Sequence, residues 1–204
     1  MSEKLLLLSI LIFTSKAEER PNIIVIVADD LGWNDVGFHG SNEVKTPNID
    51  ALAYDGQILN NYYVNPICSP SRSALMTGMY PIHTGLQHGV IGMGQDRGIP
   101  LNFTLLPEFL HNLGYQSHAV GKWHLGYSRA EYLPTKRGFG SHYGYWAGMQ
   151  DYYSHTIYLP GVSVKLLVLD SILKMQFLSH FAFLHSDLSA QLIIFSGGVG
   201  LRLS

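Results

Sequence analysis

From Arg20 to about Thr156, short apolar runs alternate with stretches in which apolar side chains recur at helical spacing. Asn22-Ile23-Ile24-Val25-Ile26-Val27-Ala28 is a continuous, β-branched run that predicts a strand buried on both faces of a parallel sheet, and it stops at Asp29-Asp30. Thr46-Pro47-Asn48 supplies a cap and a first-turn proline. Ile49, Leu52 and Ala53 follow at helical spacing, and Gly56 ends the helix. Ile58 to Val64 reads as a second strand. Pro70 to Thr77 predicts a helix with Ala74 and Leu75 inward, closed by Gly78, which places Cys68 at its N-terminus. Leu105 to Leu113 with Gly114 repeats the helix-then-glycine pattern, and Tyr115 to Val120 reads as a strand leading into Gly121-Lys122-Trp123-His124. The order β, α, β, α, α, β implies an α/β fold with a mainly parallel sheet. Ligands of such sheets bind beyond the carboxyl ends of the strands, where Asp29-Asp30 and Lys122 to His124 fall.

The two ends of the chain differ from this middle. Leu5 to Phe13 is a short apolar stretch, and Ser15-Lys16-Ala17 then places small residues two apart. Residues 1–17 therefore predict a cleavable signal peptide, too short to span a bilayer, and with it a secreted, lysosomal or extracellular destination. Asn102-Phe103-Thr104 is a glycosylation sequon, which becomes usable on that route and makes Asn102 the acceptor. Past Leu159, residues Val162 to Leu203 are rich in Leu, Ile and Phe, with Lys165, Asp170, Lys174 and Asp187 interspersed. Asp170 and Lys174 would each cost several kcal/mol at a bilayer centre, so this apolar tail is not expected to anchor in a membrane.

Composition narrows the classes further. With 204 residues and 47% hydrophobic content the chain can bury a core of single-domain size. A formal net charge of -2 provides no basic field for nucleic acid, so none is expected as a partner. Cys68 is the only cysteine and cannot form an internal disulfide.

A lone cysteine is commonly a small buried hydrophobe. As a nucleophile Cys68 would need a base, and His83, His88 or His124 could serve; spacing does not choose among them. Asp29 and Asp30 close an apolar strand, where adjacent carboxylates repel unless they are solvated or hold a cation. Hard oxygen donors of this kind suit Ca2+ or Mg2+.

The neighbours of Cys68 carry a resemblance. Cys68-Ser69-Pro70-Ser71-Arg72 has the Cys-x-Pro-Ser-Arg signature of the sulfatases. Further matching segments are Pro21 to Gly32, Thr46 to Ala53, the run from Cys68 on to Thr77-Gly78, Thr84 to His88, Gly121 to Gly126, Pro134 to Phe139 and Asp151 to His155. Over about residues 20–158 the chain thus resembles the N-terminal portion of a sulfatase catalytic domain of the arylsulfatase B type, with the alkaline phosphatase-like fold. Residues 159–204 match nothing in that pattern.

The resemblance implies a sulfuric ester hydrolase acting on sulfated sugars or aryl sulfates, among them N-acetylgalactosamine 4-sulfate of glycosaminoglycans. It implies that a formylglycine-generating enzyme converts Cys68 to formylglycine. One hydroxyl of the hydrated aldehyde attacks sulfur, and the other expels sulfate by collapse to the carbonyl. By the same resemblance Arg72 and Lys122 hold the hydrate and neutralise charge, His124 takes the proton that drives release, and Asp29, Asp30 and position 68 ligate Ca2+. His155 reads as structural. The family completes its calcium site and its leaving-group acid with an Asp-Asn pair near a Gly-Gly, a further His and a further Lys that are not placed in this sequence, and Met79 stands where Arg is usual. The chain as written is therefore expected to turn over sulfate esters poorly. The alternatives are a catalytically incomplete or sugar-binding fragment and, among enzymes, a phosphoesterase of the alkaline phosphatase superfamily. That last class uses Ser or Thr as its nucleophile.

Overall fold

A computed structural model describes residues 20–151, 153–159, 162–164 and 190–196. The proposed signal peptide and most of the apolar tail lie outside these residues. Among them, no helix is long and apolar enough to cross a membrane.

The main sheet contains β1 (Ile23–Ala28), β2 (Gln116–Lys122), β3 (Ser141–Tyr145) and β6 (Ala190–Ser196) in the order β1-β6-β2-β3. A separate pair, β4 (Ile157–Leu159) and β5 (Val162–Val164), is antiparallel. β2 and β3 are parallel, while β6 runs antiparallel to both β1 and β2. Hence β1, β2 and β3 share one direction, as an α/β fold requires, and the sheet is mixed because β6 enters between β1 and β2. Val25 and Ala119 oppose Ile193 on its two sides. Ile193 and Phe195 are fully buried and belong to the core with Met76, Leu86, Ile99, Leu105, Trp123 and Leu125.

Among the described residues four α-helices accompany the sheet: α1 (Pro47–Asp55), α2 (Cys68–Thr77), the single turn α3 (Pro81–Thr84) and α4 (Leu106–Asn112). α2 ends at Gly78, whose φ of 68° lies in the left-handed region that glycine enters without a Cβ clash. α4 starts with Glu108 accepting a hydrogen bond from the Leu105 N–H at 2.6 Å. Thr46 does not cap α1. It accepts from the Gly37 N–H and donates to Asp50, tying the helix to the preceding loop.

Three expectations change. The segment 58–64 is not a strand: Leu59, Tyr62, Tyr63 and Val64 are exposed, and no ladder pairs them among the described residues. β-branched and aromatic content suits a strand only where a neighbouring strand supplies hydrogen bonds. β1 is not buried on both faces, since Ile24 and Ile26 are exposed while Ile23, Val25 and Val27 are half-buried. α2 begins two residues earlier than its apolar spacing indicates, and it buries Ser69, Arg72, Ser73 and Met76, while Ala74 is only half-buried and Leu75 packs half-buried against the core. Its inward face is polar because those side chains find partners inside, as described next.

Candidate active site

Helix α2 meets the carboxyl ends of β1 and β2, and three chemically active segments converge there. Asp29 follows β1, Lys122 closes β2, and Cys68 opens α2. The Lys122 ammonium donates to Asp29 Oδ2 at 2.7 Å and lies 2.9 Å from Cys68 Sγ. Cys68 Sγ is 3.7 Å from Asp29 Oδ1. Arg72, one helical turn beyond Cys68, places its guanidinium 3.4 Å from Asp29 Oδ1 and donates to the Lys122 carbonyl at 2.7 Å. Spacing of i to i+4 sets Cys68 and Arg72 on one side of the helix, so both reach the same strand ends.

The electrostatics follow from burial. Lys122 and Arg72 are 4% and 3% exposed and Asp29 13% exposed. One half-buried carboxylate thus faces two buried cations, with the positive end of the α2 dipole beside Cys68. Asp30 adds a second, exposed carboxylate, and its φ of 57° is left-handed. His124 shares that strained backbone at φ 55°. Non-glycine residues in this region gather at functional sites.

Asp29, Asp30 and Cys68 each present one donor atom, and these atoms lie within 4.8 Å of one another. A groove of about 780 Å³ opens beside them, lined among others by Asp29, Asp30, Cys68, Arg72, Tyr62 and Tyr63. Met79 lines the same groove.

His124 is only 5% exposed. Its Nε2 is 2.9 Å from the Ile91 carbonyl, and its buried Nδ1 has no hydrogen-bond partner among the described residues. Burial lowers its pKa from 6.5 to about 4, opposed by the Ile91 bond and by Asp29 and reinforced by the positive charges of Lys122 and Arg72. The unfolded chain therefore binds the proton more tightly. The stability this neutral imidazole contributes is full above about pH 6.5 and is lost as pH falls toward 4. Urea unfolding at pH 7 and pH 4.5 is expected to differ by about 2 kcal/mol from this residue. His124→Gln should remove that part of the pH dependence, and an unchanged slope would contradict it.

The other predicted positions lie apart. His83 and His88 are exposed and make no hydrogen bond to Cys68. His155 is exposed, with its Nδ1 3.4 Å from Gln150 Nε2. Asn102 is exposed in the turn before α4.

Sequence reasoning passed over Ser69, which is fully buried and bonds to both His124 and Ile91. The available signal was the spacing of Ser69, Arg72, Ser73 and Met76 at i, i+3, i+4 and i+7, which makes a polar stripe the inward face.

Arylsulfatase J of Mus musculus is 54% identical over 136 residues, covering 67% of this chain and 23% of its own length. N-acetylgalactosamine-6-sulfatase of Homo sapiens is 41% identical over 143 residues, covering 64% of this chain and 26% of its own. The chain thus spans about a quarter of the length of the curated relatives it matches. Among solved structures, Ps i-CgsB superposes with a TM-score of 0.63 at 45% identity over 66% of this chain and 30% of that one. The sulfatase family model, described as "Sulfatase", matches residues 21–187, and with this match the chain belongs to the sulfatase family.

Proposed function

We propose that this chain carries the nucleophile side of a sulfuric ester hydrolase centre, acting on sulfate esters of sugars through a formylglycine made from Cys68 and a calcium ion at Asp29 and Asp30. The observation that carries this reading is the Lys122 ammonium, held at once against Asp29 and Cys68 at the N-terminus of α2. A sulfate ester is an anion that gains negative charge on its leaving oxygen as the bond to sulfur breaks, and preorganised cations favour that change.

The donor chemistry fits calcium in a specific way. Two carboxylates are hard donors, whereas a thiol sulfur suits softer metals; an oxygen at position 68 would make all three donors hard. The structure's Sγ stands where that oxygen-bearing group would be. Formylglycine would supply the attacking hydroxyl and a second hydroxyl able to expel the product, and calcium would supply charge neutralisation. Lys122 and Arg72 orient position 68 and neutralise the bound sulfate. His124 accepts the proton whose removal drives release; its imidazole is neutral, and so open to a proton, above about pH 4. Asn102, exposed, is the glycosylation acceptor of a protein on the secretory route, and a formylglycine-generating enzyme is its modifying partner.

The substrate class rests on the relatives. One is named for N-acetylgalactosamine 6-sulfate, and Ps i-CgsB has been crystallised with a neocarrahexaose. We place the substrate of this chain among sulfated sugars of that kind, with N-acetylgalactosamine 4-sulfate in glycosaminoglycans as the specific proposal. The exposed Tyr62 and Tyr63 beside the site offer rings against which a sugar can pack.

A second reading has the donor count behind it. Three donors among the described residues are fewer than the six to eight oxygens calcium takes, so metal binding is weak and turnover slow, and a sulfated-sugar-binding fragment remains the alternative. Hydrolysis of 4-nitrocatechol sulfate by the purified chain separates the readings. Slow turnover that rises with added Ca2+ and disappears in Cys68→Ala supports the hydrolase. Saturable binding of a sulfated sugar without turnover supports the fragment. Turnover that survives Cys68→Ala, or preference for 4-nitrophenyl phosphate, contradicts both.

A further inference from the structure

Three hydrogen bonds around His124 form a closed circuit. Ser69 Oγ donates to the His124 carbonyl at 2.8 Å, and the Ile91 N–H donates back to the same Ser69 oxygen at 3.1 Å. The Ile91 carbonyl, from that same residue, then receives the His124 ring at 2.9 Å. A carbonyl can only accept, so Nε2 carries the proton and the neutral ring has its lone pair on Nδ1. That Nδ1 is buried and has no hydrogen-bond partner among the described residues. The far side of the ring is closed by Gly148, where an added Cβ would stand 2.6 Å from His124 Cε1.

We propose that Ser69 is a positioning residue: its hydroxyl ties the Ile91 backbone and the His124 backbone together, and thereby fixes the imidazole in the tautomer that leaves Nδ1 as the proton acceptor. Ser69 is the residue next to Cys68 on the first turn of α2, so the circuit also fastens the proposed base to the helix that bears the nucleophile. The hydroxyl donates once and accepts once, and Ser69 itself is 0% exposed. Alanine would leave the His124 carbonyl and the Ile91 N–H each without this partner. The Ile91 backbone could then shift and carry its carbonyl away from the ring, and His124 would be free to exchange between its two neutral forms. The role given to His124 rests on the hydrolase reading, but the circuit itself does not.

The test therefore reads the ring directly. Nitrogen-15 shifts of the imidazole, assigned with His124→Gln, are to be compared for the wild-type chain, Ser69→Ala and Ser69→Thr at neutral pH. The wild type is expected to show a protonated Nε2 and an unprotonated Nδ1. Ser69→Ala should show the two nitrogens averaged toward each other, and Ser69→Thr, which keeps the hydroxyl, should restore the wild-type pattern. If Ser69→Ala does not fold, Ser69→Cys, a weaker hydrogen-bonding group, should show a smaller shift of the same sense. A wild-type pattern in Ser69→Ala or Ser69→Cys would overturn the proposal. With 4-nitrocatechol sulfate, kcat is expected to fall about 10-fold in Ser69→Ala at unchanged KM, with recovery in Ser69→Thr and equal conversion of Cys68 confirmed by mass. A wild-type chain with no turnover but the expected ring pattern would count against the hydrolase reading and leave the positioning role supported.

Discussion

Replacing Lys122 by Met is expected to lower the stability of the fold by about 3 kcal/mol or more and to abolish turnover of sulfate esters. Met keeps an unbranched apolar stem of similar length, so the change is chiefly the loss of the ammonium. That ammonium is 4% exposed and its closest partner is Asp29 at 2.7 Å. Without it Asp29 keeps Arg72 at the longer distance of 3.4 Å, and Cys68 loses the donor 2.9 Å from its sulfur. Breaking one side of a buried pair is costly because the remaining charge stays out of water. Asp29→Asn on the Lys122→Met background removes the carboxylate that faces both cations, including the buried Arg72 at 3.4 Å, so the double variant should differ from the sum of the two single changes and regain none of the activity. Thermal and urea unfolding of the single and double variants measure the coupling. An unchanged melting temperature in Lys122→Met would show that the pair is not formed.

The second large effect concerns β6. Ile193→Asp is expected to leave the chain without a cooperative fold, seen as a lost melting transition and collapsed amide dispersion. Ile193 is fully buried and paired on both sides, opposite Val25 and Ala119. A carboxylate there would have no counter-charge and would sit between strands that depend on the residue for their packing. Ile24→Asp is the control. Ile24 is 60% exposed, so the same substitution on the open face of β1 should shift stability by only about 0.5 kcal/mol. Equal behaviour of the two variants would remove β6 from the centre of the sheet.

These two sites also show where sequence reasoning reached and where it stopped. The strand ends carrying Asp29 and Lys122, and the helix opened by Cys68, were legible because each is a local pattern: an apolar run, a turn, a glycine stop. The rule for ligand sites in α/β sheets put Asp29 and Lys122 at the carboxyl ends of β1 and β2, and only the family resemblance added Cys68; the structure holds Lys122 2.7 Å from Asp29 and 2.9 Å from Cys68. Non-local facts were not legible. Nothing in residues 190–196 says that they enter between β1 and β2, since strand pairing across more than sixty positions leaves no mark at either partner. The apolar run 58–64 carried a strand's composition without a strand's neighbour. Ala74 and Leu75 looked inward by hydrophobicity, and Leu75 does pack half-buried against the core, yet the helix buries Ser69, Arg72 and Ser73 more completely, with Ser69 and Arg72 partnered by the backbone of His124 and Lys122 far along the chain.

The Cys68 side chain decides the rest, because the hydrolase reading needs an oxygen-bearing group where the gene encodes a thiol. The chain should be secreted from cells that contain a formylglycine-generating enzyme, digested with trypsin, and the peptide containing position 68 weighed. Conversion predicts a mass loss of about 18 Da relative to cysteine and an aldehyde that reacts with a hydroxylamine probe. A peptide that keeps the full cysteine mass, from cells that convert a co-expressed sulfatase, would contradict the account.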